Sequence, residues 1–196
     1  MSEGRSFTFK VIVVGDGAVG KTSLIRRFVH NKFEKDYLMT LGSEITKYTQ
    51  NIDGNNISLI IWDLAGQEGF KNIRQNFFTG SNAAIIVFSH EENESGEKSL
   101  KNVPKWLEEI TKHTKKIPIM LFGNKIDLID VDKLNTDMAL PKSDYNLNKL
   151  ANDLGFLGYY KTSALSGENV HNAFGTLIKE LYQKQIAILE NLKKEI

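Results

Sequence analysis

Lys10-Val11-Ile12-Val13-Val14-Gly15-Asp16-Gly17-Ala18-Val19-Gly20-Lys21-Thr22-Ser23 is the stretch on which the reading of this chain turns. Val11 to Val14 form an unbroken apolar run, the mark of a strand buried on both faces. A glycine-rich loop follows, and then Leu24, Ile25, Phe28 and Val29, spaced as one face of a helix. Gly15, Gly20, Lys21 and Thr22 complete G-x-x-x-x-G-K-[ST] in the strand–loop–helix setting that gives the pattern its meaning. Phosphate oxygens need many N–H donors, and glycine lets the main chain curl closely enough to supply them. The helix start adds unpaired N–H groups and the positive end of its dipole. Residues Gly15 through Ser23 are therefore the candidate phosphate cradle. Lys21 reaches for the outer phosphates, and the Thr22 hydroxyl is available to Mg²⁺.

Gly15, Gly17 and Gly20 also satisfy G-x-G-x-x-G, the dinucleotide fingerprint. That alternative needs a second strand ending in an acidic residue about 20 residues on. Glu34 and Asp36 lie near that position, but no apolar run precedes them. The Lys21-Thr22 pair would also be surplus to a dinucleotide site, so the phosphate loop is preferred.

The rest of the 196 residues is ordinary for a soluble globular protein, at 41% hydrophobic and 25% charged. A net charge of +1, with no basic cluster, gives no nucleic-acid footprint. The absence of cysteine removes disulfides, thiolate metal sites, catalytic thiols and cysteine-linked lipids together. Ser2 stands where N-myristoylation needs glycine, so no direct lipid anchor is evident. Neither a signal peptide nor a run of about 20 apolar residues is present. The expectation is one domain over residues 1–196, cytoplasmic, working off the membrane or recruited to it through a partner.

Working outward, residues 31–42 read as a loop. Ser43 to Ile52 and Asn56 to Trp62 read as strands joined by Asp53-Gly54-Asn55, and Asp-Gly is a strong hairpin signal. The second run delivers Asp63 at its end. Ala83 to Phe88 and Pro118 to Gly123 are further apolar strands. Between them Leu100, Val103, Trp106, Leu107 and Ile110 share one helix face, whose start is uncertain because Pro104 fits only near a beginning. Leu128 to Lys142 stays unassigned. A short helix carries Tyr145, Leu147, Leu150, Ala151 and Leu154. A last strand holds Tyr159 and Tyr160, and a long helix runs from Val170 towards Leu192. Residues 184–196 are a helix extension or tail, either packing on its own domain or docking on a partner. The four histidines are scattered in mostly polar surroundings and receive no role. Trp62 and Trp106 read as packing residues.

Strands apolar on both faces, alternating with helices, predict an α/β fold of three layers. Its sheet is six-stranded and mostly parallel, with one antiparallel edge hairpin strand and helices on both faces. Ligands of such folds sit beyond the C-terminal strand ends. The clusters at Gly15, Asp63, Asn124 and Ser163 all fall there and should converge.

With these clusters in order, the chain resembles a small GTPase of the Ras superfamily, nearest to the Rab branch, over residues 8 to 183. The resemblance rests on Gly15 to Thr22, Thr40-Leu41-Gly42, Asp63-Leu64-Ala65-Gly66-Gln67, Asn124-Lys125-Ile126-Asp127 and Ser163-Ala164-Leu165. It implies a Mg²⁺-dependent switch that binds GTP and GDP and hydrolyses GTP, in signalling or membrane trafficking. Asp127 would accept both guanine N–H groups, which adenine cannot offer, a difference on the scale of roughly 10⁴-fold. Asn124, Lys125, Ser163, Ala164 and Leu165 would complete the guanine site, with Phe33 packing on the base. Thr22, Thr40 and Asp63 would hold Mg²⁺. Gly66 would donate to the γ-phosphate, Lys21 would stabilise charge, and Gln67 would orient the attacking water. No arginine resembles one supplied in cis, and Arg74 reads as solvated, so intrinsic hydrolysis should be slow. Exchange factor, GTPase-activating protein and effectors would act through residues 33–45 and 64–80. A nucleotide-loaded scaffold with negligible hydrolysis is the alternative; a metabolic phosphotransferase lacks an acceptor domain. Departures from the Rab pattern at Ser43-Glu44-Ile45, Leu64 and Gly69 bear on partners more than on chemistry. The span between Asp127 and Ser163 is also longer than in typical relatives, and the chain end lacks prenylated cysteines, so the protein would work off the membrane or be recruited by another device.

Overall fold

The computed structural model describes residues 4–33, 40, 42–66, 69, 75–136 and 138–194. In chain order its first elements are β1 (Ser6–Val14), α1 (Lys21–His30), β2 (Ser43–Ile52), β3 (Asn55–Leu64) and β4 (Ala83–Ser89). There follow α2 (Glu94–Lys101), α3 (Val103–His113), β5 (Ile119–Asn124), α4 (Val131–Thr136), α5 (Asp144–Asp153), β6 (Gly158–Lys161) and α6 (Val170–Lys194).

β1 explains the layering. Phe9, Val11 and Val13 point to one side of the sheet and Ile12 and Val14 to the other, and all five are buried. A strand with no polar face must lie inside, and β1 pairs in parallel with β3 on one side and β4 on the other. The sheet order is β2-β3-β1-β4-β5-β6, parallel throughout except for the β2–β3 pair. Asp53 and Gly54 form the two-residue hairpin loop, both with positive φ (51° and 78°), the backbone that suits a tight antiparallel turn.

Helices cover both faces. Leu24, Ile25 and Phe28 of α1 meet Phe174, Leu177 and Ile178 of α6 above the first face, where the Phe28 and Phe174 rings stack at 4.1 Å. Val103, Trp106 and Ile110 of α3 and Leu147 and Ala151 of α5 cover the second. Each such large apolar side chain contributes about 1.5–3 kcal/mol by leaving water. The expected α/β architecture, with its antiparallel edge strand, is what the chain adopts.

One sequence expectation needs correction, and two places left without a reading are now described. The helix read through Leu100 and Ile110 is two helices, broken at Asn102. Pro104 stands in the first turn of α3, where its missing N–H costs nothing. The unassigned 128–142 segment contains the short helix α4, with Leu134 buried. His90, given no role from its polar surroundings in the sequence, is fully buried. α6 runs to Lys194, packing Ile186 on the core and leaving Ile188 and Leu192 half exposed. Among the described residues no helix is long and apolar enough to cross a membrane.

Candidate functional site

Beyond Val14 the chain must turn under the neighbouring strand. Gly15 has φ +141°, and a Cβ there would lie 2.1 Å from the Val87 carbonyl oxygen. Gly20 closes the loop at φ +96°, where a Cβ would strike the Asn124 amide at 2.3 Å. These two glycines are required by close approach, and α1 starts directly behind them. Its first residue, Lys21, is only 6% exposed and donates to the carbonyls of Gly15 and Asp16, both at 2.8 Å. The Asp16 carboxylate turns away from the loop. It accepts the Asn102 amide at 2.7 Å and the Trp106 indole N–H at 2.8 Å. Asp16 therefore offers the cradle its main chain, while its side chain braces the loop against α3.

β3 carries Asp63 to the same rim. Thr22 Oγ1 donates to Asp63 Oδ2, lies 2.9 Å from Thr40 Oγ1, and Thr40 reaches the same carboxylate at 3.3 Å. Burial pushes the Asp63 carboxyl above its ordinary value, opposed by the Thr22 bond and the charge of Lys21. Its other oxygen, Oδ1, is buried with no hydrogen-bond partner among the described residues. No group of three or more His, Asp or Glu that could hold a metal occurs among those residues. What the rim provides is two hydroxyls and one under-satisfied carboxylate, a hard-oxygen set that fits Mg²⁺. Gly66 approaches from β3's end. A Cβ on it would come within 2.2 Å of the Gly15 oxygen and 2.7 Å of the Asp16 oxygen. Gln67 lies outside the described residues.

The second cluster lies at the ends of β5 and β6. Asn124, buried, donates to Val19 O at 2.9 Å and accepts the Ala164 N–H at 3.1 Å. One amide thus joins the glycine loop to the 163–165 loop. Lys125 adopts φ +68° and turns the chain so that Asp127 faces back, where it accepts the Ser163 hydroxyl. Ser163 Oγ in turn accepts the Ser166 N–H at 3.0 Å, and Leu165 is exposed. Phe33 is half buried against the core shared by α1 and α6. Arg27, overlooked in the sequence, donates to the carbonyls of Ala164, at 2.8 Å, and Leu165. Nothing local marks this bracing, because these two carbonyls lie more than 130 residues downstream. The Asn102 and Trp106 pairing was more accessible, since i and i+4 share a helix face.

A glycine cradle, a buried lysine and an oxygen cluster at the C-terminal ends of a parallel sheet define the P-loop nucleotide-binding class. The Ras family model matches residues 10–183. The chain is 37% identical over 177 residues to Ras-related protein RABA4b of Arabidopsis thaliana, covering 90% of this chain and 73% of that protein. It is 33% identical over 183 residues to human Ras-related protein Rab-9A, covering 91% and 85%. A Ras and EF-hand domain-containing protein homolog of Caenorhabditis elegans is 36% identical over 175 residues, 89% of this chain but 26% of that longer protein. The chain belongs to the Ras family, as a Rab-like small GTP-binding protein.

Proposed function

We propose that this protein is a Mg²⁺-dependent switch that binds GTP, hydrolyses it slowly and changes partners as it does so. The observation carrying this reading is the meeting of Thr22, Thr40 and Asp63 oxygens beside Lys21, with one carboxylate oxygen left unanswered. Thr22, Thr40 and Asp63 would hold Mg²⁺, which when bound neutralises charge on the outer phosphates. Lys21 gives its ammonium to those phosphates in place of the loop carbonyls. The amides of residues 15–23 cradle the chain of phosphates, and Gly66 donates its N–H to the last of them.

At the other end Asp127 accepts the two guanine N–H groups, and Asn124 holds the loops that frame the base. Ser163, Ala164, Leu165 and Phe33 complete its surroundings, and the Lys125 stem lies along its face. Gln67 orients the attacking water. The transition state of phosphoryl transfer is loose, so positioning and charge, more than covalent help, govern the rate. Loss of the γ-phosphate removes what pins Thr40 and Gly66, and the segments they belong to are released. Exchange factors, GTPase-activating proteins and effectors would read residues 33–45 and 64–80. Ile45, 54% exposed on edge strand β2, is an apolar handle for such a partner.

Single-turnover phosphate release tests the reading. The isolated protein should hydrolyse GTP at about 10⁻⁴–10⁻² s⁻¹ with Mg²⁺ present, and Gln67→Leu should slow this further while GTP stays bound. A rate above roughly 1 s⁻¹, or indifference to Gln67→Leu, contradicts it.

A further inference from the structure

Glu91 follows β4 and lies outside every motif named so far, yet three groups converge on it. Its Oε2 meets Lys125 Nζ at 2.6 Å, each side chain being 26% exposed. The same oxygen accepts the Ser89 hydroxyl at 2.9 Å. Its main-chain carbonyl accepts Lys142 Nζ at 2.6 Å, which ties the 128–142 segment to this point. A Cβ on Gly96 would come within 2.1 Å of that carbonyl, so the first turn of α2 closes on it as well. Glu91 is thereby fixed through its main chain, and its carboxylate is presented to one lysine.

The geometry points to Glu91 as a positioning residue for the guanine end: its carboxylate fixes Lys125 in place before nucleotide arrives, and so slows nucleotide release. The inference rests on the guanine-nucleotide reading above. Lysine carries a compact charge on a flexible four-carbon stem, and an unanchored stem must be ordered anew at each binding event. Ordering it in advance lets more of its contact with the base appear as affinity. The φ of +68° at Lys125 sets where the stem leaves the chain, and Glu91 sets where it ends. Burial alone would raise the Glu91 carboxyl. The bonds from Lys125 and Ser89, with the charges of Lys125 and Lys142, hold it below its ordinary range, so the carboxylate is ionised at neutral pH.

The test is the release rate of a fluorescent GDP analogue, chased with unlabelled GDP in excess Mg²⁺. Glu91→Gln should release about three- to tenfold faster, the scale of one lost charge-assisted bond. In a Lys125→Met background the same change should add less than about twofold, because the residue through which Glu91 acts is gone. A role confined to general stability would act with or without Lys125. An unchanged rate in Glu91→Gln, or two effects that simply multiply, overturns the assignment. Should Glu91→Gln fail to fold by circular dichroism, Ser89→Ala removes one hydroxyl from the same oxygen. It should speed release about twofold, only when Lys125 is present, and no change there overturns the assignment equally. A wild-type protein that holds no guanine nucleotide defeats the functional reading and this inference with it. One that holds GDP while the variants release no faster defeats the role of Glu91 alone.

Discussion

At the phosphate end a buried carboxylate oxygen, Asp63 Oδ1, has no partner among the described residues, and a buried ammonium rests on loop carbonyls. At the base end Asn124 uses both halves of its amide, Asp127 takes the Ser163 hydroxyl, and Arg27 and Glu91 brace the flanking loops. The first region leaves a buried carboxylate oxygen unanswered among the described residues, and on the proposed reading it is finished by Mg²⁺ and phosphate. The second is built in advance by its own hydrogen bonds. Changes at the base end should therefore cost folding stability, whereas removing the Asp63 charge at the phosphate end should cost binding and leave stability nearly untouched.

The largest effect should come from Asn124→Ala. It strands the Val19 carbonyl and the Ala164 N–H in a buried setting, a loss of about 2–5 kcal/mol in urea denaturation. Stability within about 0.5 kcal/mol of wild type would show that the base end is not prebuilt.

Next in size is an acid response beneath the same end. The main-chain N–H of His90 donates to Asn124 O at 2.8 Å, and its ring lies 2.8 Å from the Tyr159 hydroxyl. Burial first, then the charges of Lys142 and Lys161, push the imidazole down from 6.5 to about 3. The folded value lies below the unfolded one, so protons favour the unfolded chain. The contribution is complete above pH 6.5 and is lost as pH falls towards 3. Between pH 7 and 5 this group should cost about 2 kcal/mol by denaturant titration, and His90→Gln should remove that part of the slope. An identical slope in the variant would place the acid sensitivity elsewhere.

The smallest change in stability should accompany the largest change in cation response. Asp63→Asn removes a charge that burial disfavours, so thermal melts in EDTA should show stability unchanged or raised by about 1 kcal/mol. Mg²⁺ should then no longer tighten GDP binding. A loss of several kcal/mol would mean that Asp63 is structural, and the contrast between the two ends would fail.

How much of this could be read from residues alone varies with the range of the contact. The strand–loop–helix stretch from Lys10 to Ser23, the Asp53-Gly54 hairpin and the doubly apolar strands are local signals, and the fold follows them. The gathering of Gly15, Asp63, Asn124 and Ser163 was legible because strand ends of a parallel sheet meet on one rim. Thr40, a loop residue, was placed beside Thr22 and Asp63 only by the family resemblance. The break at Asn102 was hidden, because apolar spacing continues through it from Leu100 to Ile110. The burial of His90 has a long-range cause. Its polar neighbours Ser89 and Glu91 say nothing of Gly123, where a Cβ would strike the imidazole at 2.4 Å and where glycine leaves the space that buries it. The inward bracing by Arg27 and the turn of the Asp16 carboxylate onto α3 likewise depend on partners far along the chain.

The most direct measurement is calorimetric titration of the protein with GDP and with ADP in Mg²⁺. The converging loops and the Asp127 carboxylate predict tight GDP binding and ADP weaker by roughly 10³-fold or more. ADP binding as tight as GDP would remove the guanine site and with it the reading of this protein as a guanine-nucleotide switch.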